Sequence, residues 1–115
     1  MNSKNNVNHN EFKSEDAIIN SNSEFAVVEA YKSVRTNIMY SMPKTEGAKT
    51  IVLTSASAGE GKTTTCINLA QTFAQMNARV LLIDCDLRKP KVHRYLKLEK
   101  NIVCFHWYIE LQVQV

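Results

Sequence analysis

The apolar positions of this chain fall into four patterned blocks separated by polar stretches. In the first, Val28, Tyr31, Val34 and Ile38 recur every three or four residues, the period of one helix face. Ser21, with Glu24 three residues on, reads as a capping box, so this helix is expected to start at Ser21 and to end at Ser41-Met42-Pro43. Residues 50–55 (TIVLTS) are β-branched and apolar with no polar face, as suits a strand covered on both sides in a parallel sheet. The helical period returns from Lys62 to Met76, with Ile67, Leu69, Ala70, Phe73 and Ala74 on the expected buried face and Asn77 as the expected C-cap. Residues 79–83 (RVLLI) then read as a second buried strand running into Asp84. Strand, helix and strand of these lengths predict a right-handed βαβ unit, which places ligands at the carboxyl ends of its strands.

The flanks read differently. Residues 1–22 are dominated by Asn, Ser, Lys and His around one apolar patch, Ala17-Ile18-Ile19, and are expected to form a disordered leader. Residues 44–49 are polar, include Gly47, and are expected to be a connecting loop. At the other end, residues 103–115 (VCFHWYIELQVQV) hold the single Trp and one formal charge, with Leu111, Val113 and Val115 alternating with glutamines as a strand would.

Composition narrows the class without choosing a function. With 44% hydrophobic and 22% charged residues, 115 residues suit one modest domain or part of one. A net charge of +3, with basic residues spread among acidic ones, gives no reason to expect nucleic acid as a partner. Cys66, Cys85 and Cys104 are odd in number and lack CxxC spacing, so reduced thiols in a cytoplasmic protein are expected. His93 and His106 are expected to be surface or packing residues. No apolar run approaches the roughly 18 residues a membrane span needs.

Candidate chemistry sits between the first strand and the helix after it. Residues 55–64 (SASAGEGKTT) match GxxxxGK[ST] except that Ala56 stands at the first glycine. Ala58, Gly59, Glu60, Gly61, Lys62, Thr63 and Thr64 form the candidate nucleotide-binding loop. Gly59 and Gly61 let the backbone turn its N–H groups inward, and the helix starting near Lys62 adds its dipole, together a cradle for phosphate oxygens. Lys62 would reach the β- and γ-phosphates of ATP, and the Thr63 hydroxyl would ligate Mg²⁺. The alternative, a glycine turn that binds nothing, does not require GKT in this strand-to-helix context. At the end of the second strand, Asp84 and Asp86 present two carboxylates that either serve magnesium and proton transfer or cap the turn that follows.

Three segments together, TSASAGEGKTT, LLIDCDLRKP and EAYKSVRTN, resemble the bacterial tyrosine kinases of capsule and exopolysaccharide synthesis over residues 24–102. The resemblance implies an α/β fold: the βαβ core of a P-loop NTPase with a parallel sheet, the N-terminal part of a doubly wound domain, preceded by an N-terminal helix. It implies an ATP- and Mg²⁺-dependent protein-tyrosine autokinase, with Lys62, Asp84 and Asp86 as catalytic residues, Asp84 the acid-base group and Asp86 beside the metal with Thr63. Glu29, Lys32 and Arg35 align with an element through which such domains form homo-oligomeric rings, although Lys32 replaces an arginine and cannot reproduce its bidentate fork. A membrane-embedded chain-length modulator is the implied activating partner, holding an otherwise cytoplasmic subunit at the inner face of the membrane.

Two other readings share the loop. Partition and division-site ATPases carry a second lysine where this chain has Ser57, and a non-catalytic fragment would act only through the helix at 24–40. Past residue 102 the resemblance stops, as expected if a frameshift ended a kinase domain spanning residues 23–102. A parallel sheet of two strands would leave a face uncovered, so weak nucleotide binding and little turnover are expected.

Overall fold

The computed structural model describes residues 14–98 and 107–111. The expectations for residues 1–13, Cys104, His106 and residues 112–115 lie outside them.

Helix α1 spans Phe25–Ser41. It starts later than the capping box suggests, because the Ser21–Glu24 pair makes no side-chain cap. The hydroxyl of Ser23 instead accepts the Asn20 N–H at 2.9 Å, closing the preceding turn. The helix ends where expected, at Met42 ahead of Pro43, with the Met42 N–H still reaching the Ile38 carbonyl at 3.0 Å.

Helix α2, Lys62–Ala74, is the centre of the packing. Ile67, Leu69, Ala70 and Ala74 are buried, as the period requires, but so are Asn68 and Thr72. The four carbonyls of its last turn, which no helical partner can reach, are all satisfied. Gln71 takes the Gln75 N–H, Phe73 that of Met76, and Ala74 that of Asn77, at 2.9 to 3.0 Å. The Thr72 carbonyl takes Arg35 Nη1 of α1 at 2.6 Å. The C-cap is Gln75, not the expected Asn77, which lies two residues further on at φ 60°, the left-handed conformation that Asn tolerates better than most residues.

Strand β1, Val80–Asp84, follows, then a one-turn helix α3, Val92–Tyr95. The chain leaves α3 by a tight turn with Lys97 at φ 54° and the Leu98 N–H on the His93 carbonyl at 2.9 Å. Strand β2, Trp107–Leu111, lies antiparallel to β1, with Leu82 opposite Ile109.

The expected βαβ unit is not formed among the described residues. Residues 50–55 belong to no strand, and the neighbour of β1 is β2. The cause is coverage: a parallel pair needs both faces buried, yet Val52 is 83% exposed and only Leu82 of β1 is buried, with Leu81 and Ile83 turned outward.

The leader also departs from its expectation. Ser14–Ala17 forms a 3₁₀ turn, and Ile18 joins Ile67, Ala70, Leu82 and Val92 in one core cluster. The Ile19 N–H donates to Asn68 Oδ1, and Asn68 Nδ2 donates to the Ala17 carbonyl, each at 2.9 Å. Two buried isoleucines, each worth about 1.5–3 kcal/mol, and a two-way amide clamp offset the entropy that its polar neighbours could not.

Removing that clamp leaves a buried N–H without an acceptor. Asn68→Ala is therefore expected to lower stability by about 1–3 kcal/mol in urea unfolding, with Ser14–Ala17 becoming the first site of limited proteolysis.

Candidate nucleotide site at the start of α2

The loop before α2 takes its shape from two glycines. Gly59 at φ 80° and Gly61 at φ 82° are both left-handed, and Gly61 is the N-cap of α2. Either position would strain a residue with a Cβ. Ala56 has no positive φ, so the missing first glycine costs the loop nothing in backbone conformation. Ser55 Oγ donates to the Ser57 carbonyl at 3.0 Å, and Glu60 Oε2 accepts the Ser57 N–H at 3.2 Å. Glu60 thus braces the loop from within, leaving the amides after it turned elsewhere.

Those amides are the main chemical feature. Among the described residues the N–H groups of Gly59, Gly61, Lys62, Thr63 and Thr64 have no hydrogen-bond acceptor; the first amide taken up by α2 is Thr65, on the Gly61 carbonyl at 2.9 Å. Five donors at the positive end of a 13-residue helix, with Lys62 exposed beside them, form an anion-binding cradle.

The carboxylates lie at the end of β1. Asp84 Oδ1 accepts the Asp86 N–H at 3.0 Å, and its Oδ2 accepts those of Lys91 at 3.0 Å and Val92 at 3.2 Å. Asp86 Oδ1 accepts the N–H groups of Lys89 at 3.0 Å and Arg88 at 3.2 Å. Both aspartates therefore hold the following turn, and Asp84 caps the start of α3. Among the described residues Asp86 Oδ2 takes no donor. The Lys89 N–H, more than anything else, holds the Asp86 carboxyl below the usual range, helped by the Arg88 N–H and then by the Lys62 and Lys91 ammonium groups. Ile67 of α2 packs with Leu82 of β1, so the helix that follows the phosphate loop lies beside the strand that ends in the second motif.

Cys66, one turn into α2, links the same two elements. Burial pushes its thiol up, and the neighbouring Asp84 and Cys85 push it further. Magnesium fits this donor set. Among the described residues no cluster of three His, Cys, Asp or Glu could hold a metal alone. The Thr63 hydroxyl and Asp86 Oδ2, both without partners, leave the rest of an octahedral shell to phosphate oxygens and water, as magnesium prefers.

The third group of expected residues lies apart, on α1. Lys32 Nζ pairs with Glu29 Oε1 at 2.8 Å along the helix, and Arg35 turns inward to α2, its Nε buried without a partner. With Ser33, Thr36 and Asn37 they line a groove of about 370 Å³. The inward anchoring of Arg35 was not apparent from its spacing, and neither were the roles of Asn68 and Glu60, because each depends on tertiary contact or loop closure.

Comparison with known proteins agrees with this geometry. Residues 51–104 match the CobQ/CobB/MinD/ParA nucleotide binding domain family. The chain is 49% identical over 74 residues to the tyrosine-protein kinase YwqD of Bacillus subtilis, covering 64% of this chain and 31% of that protein. It is 40% identical over 74 residues to the tyrosine-protein kinase CpsD of Streptococcus pneumoniae, again 31% of the relative, and 42% identical over 69 residues to the tyrosine-protein kinase wzc of Salmonella typhi, 10% of it. The chain thus spans about a third or less of the length of these relatives. No solved structure matches it. No helix among the described residues is long and apolar enough to cross a membrane.

The two thiols beside the site should differ in reactivity. Alkylation with iodoacetamide at neutral pH, mapped by mass spectrometry, is expected to modify the exposed Cys85 well before the half-buried Cys66. Equal rates would show that Cys66 is not packed as described.

Proposed function

Since this chain carries the P-loop segment of the bacterial tyrosine kinases, we propose that it binds ATP with magnesium as part of a protein-tyrosine autokinase that regulates capsular or extracellular polysaccharide synthesis. The observation that carries this reading is the group of five amides at the start of α2, with exposed Lys62 among them, that have no acceptor among the described residues.

In the transfer, a tyrosine oxygen attacks the γ-phosphorus, the bond from that phosphorus to the bridging oxygen of ADP breaks, and the phenolic proton passes to a carboxylate. Lys62 and the loop amides hold the β- and γ-phosphates and bear their developing charge. Magnesium, held by Thr63 and Asp86, would neutralise the phosphate oxygens. Asp84 is assigned the proton, a role in which it must exchange one of its backbone N–H partners for the tyrosine. Polypeptide beyond this stretch would complete a parallel, doubly wound sheet.

The partner assignments rest on the same resemblance. A membrane-embedded chain-length modulator is proposed as activator, keeping the subunit at the inner face of the plasma membrane, and Glu29, Lys32 and Arg35 are proposed for self-assembly. The family that matches also includes MinD and ParA by its description, but the 49% identity to a tyrosine-protein kinase and Ser57 in place of a lysine favour the kinase.

Titration with a fluorescent ATP analogue tests the core of the proposal. Magnesium-dependent binding is expected, and Lys62→Ala should weaken it at least about tenfold, the loss of a charge-assisted contact of about 1.5–3 kcal/mol. Unchanged affinity in Lys62→Ala would refute the site.

A further inference from the structure

Residues 88–97 carry Arg88, Lys89, Lys91, Arg94 and Lys97 and no carboxylate. Asp84 and Asp86, just before the run, would normally offset it through side-chain pairs, while Glu99, just after it, lies outside the described residues. Here the oxygens of the two aspartates face the backbone N–H groups of the same turn, those of Arg88, Lys89, Lys91 and Val92. The loop backbone is fixed and its cationic side chains are left outward. Arg88, Lys89, Lys91 and Arg94 are exposed, and none forms an ion pair among the described residues.

The place of this patch matters as much as its charge. It grows from the turn that holds Asp86, which also lies within the field of Lys62. Val92, in the middle of the run, packs with Ile67 of α2, so the run lies against the helix whose first turn carries the cradle. An acceptor tyrosine entering there passes a rim that attracts negative side chains and repels positive ones.

We propose that Arg88, Lys89 and Arg94 form a docking rim for an acidic peptide, selecting tyrosines flanked by Glu or Asp for delivery to the site. The proposal rests on the kinase reading above and names its substrate class. An anionic bilayer fits less well: α3 is a single turn whose Val92 faces the core, so the run has no amphipathic face to insert. A nucleic acid also fits less well, because Tyr95, the aromatic ring of the run, is packed against the core and not offered for stacking.

The test is fluorescence anisotropy on the full chain with two labelled peptides, one with tyrosine between glutamates and one with glutamines in their place. The acidic peptide is expected to bind about tenfold tighter at low salt, a few-fold for each exposed charge contact, and the preference should fade at high salt. The triple variant Arg88→Ala, Lys89→Ala, Arg94→Ala should lose the preference while binding the ATP analogue within twofold of the parent. The charge-matched control Lys44→Ala, Lys49→Ala, Arg79→Ala should keep it. Equal binding of the two peptides by the parent chain, or equal loss in the control, overturns the proposal. So does a triple variant whose defect falls on phosphatidylglycerol vesicles or on the ATP analogue instead of the peptide. Failure of the kinase reading would appear separately, as absent nucleotide binding in the parent chain.

Discussion

The burial of α2 is the constraint on which the rest of the structure depends. Ile67 is fully enclosed by Ile18, Ala70, Leu82 and Val92, drawing the N-terminal segment, β1 and α3 onto one helix. Two polar side chains buried with it have partners: Asn68 clamps the segment that carries Ile18, and Thr72 Oγ1 donates to the Leu69 carbonyl at 2.7 Å. On the α1 side, Arg35 closes the one last-turn carbonyl that neither helix nor turn can reach. A helix fixed at so many points has a fixed direction. The amides at its first turn therefore point into the phosphate cradle before any ligand arrives, which lowers the ordering cost of binding.

The second motif follows a different logic. Asp84 and Asp86, proposed for the tyrosine proton and for magnesium, are both engaged with the backbone of the next turn. The capping and catalytic readings of these residues are compatible, because a carboxylate accepts at two oxygens. Asp86 shows this directly, with one oxygen holding the loop and the other taking no donor among the described residues. For Asp84, where both oxygens accept, chemistry requires a local exchange of partners. That exchange would loosen the turn from which Arg88, Lys89 and Arg94 project, coupling the proposed proton transfer to the position of the proposed docking rim.

The backbone of the loop before α2 was legible in the sequence because it is local. The GKT run, its two left-handed glycines and the helix after it depend on contacts within a few residues, as do the end of α1 at Met42 and the left-handed Asn77. What sequence reading missed depends on distant partners. Ala17-Ile18-Ile19 is too short to register against its polar surroundings, yet 49 residues later Asn68 supplies the matching amide. Residues 50–55 have the composition of a buried strand, but composition cannot provide a neighbour, and β1 pairs with β2 instead. Arg35 fitted a surface motif by spacing, while the helix packing placed its guanidinium on α2.

The unpaired run at residues 50–55 bears on affinity. The phosphate loop is anchored on its α2 side by a packed helix and on its other side by a segment whose Val52 is mostly exposed and whose backbone joins no ladder among the described residues. A nucleotide bound to such a loop must order the incoming segment as well as meet the amides, and that entropy is subtracted from its binding free energy. Conversely, any polypeptide that pairs with residues 50–55 removes the cost in advance and raises nucleotide affinity without touching the ligand. By reciprocity, bound nucleotide would favour that pairing to the same degree. Nucleotide affinity would thus be governed as much by what covers residues 50–55 as by the loop residues themselves.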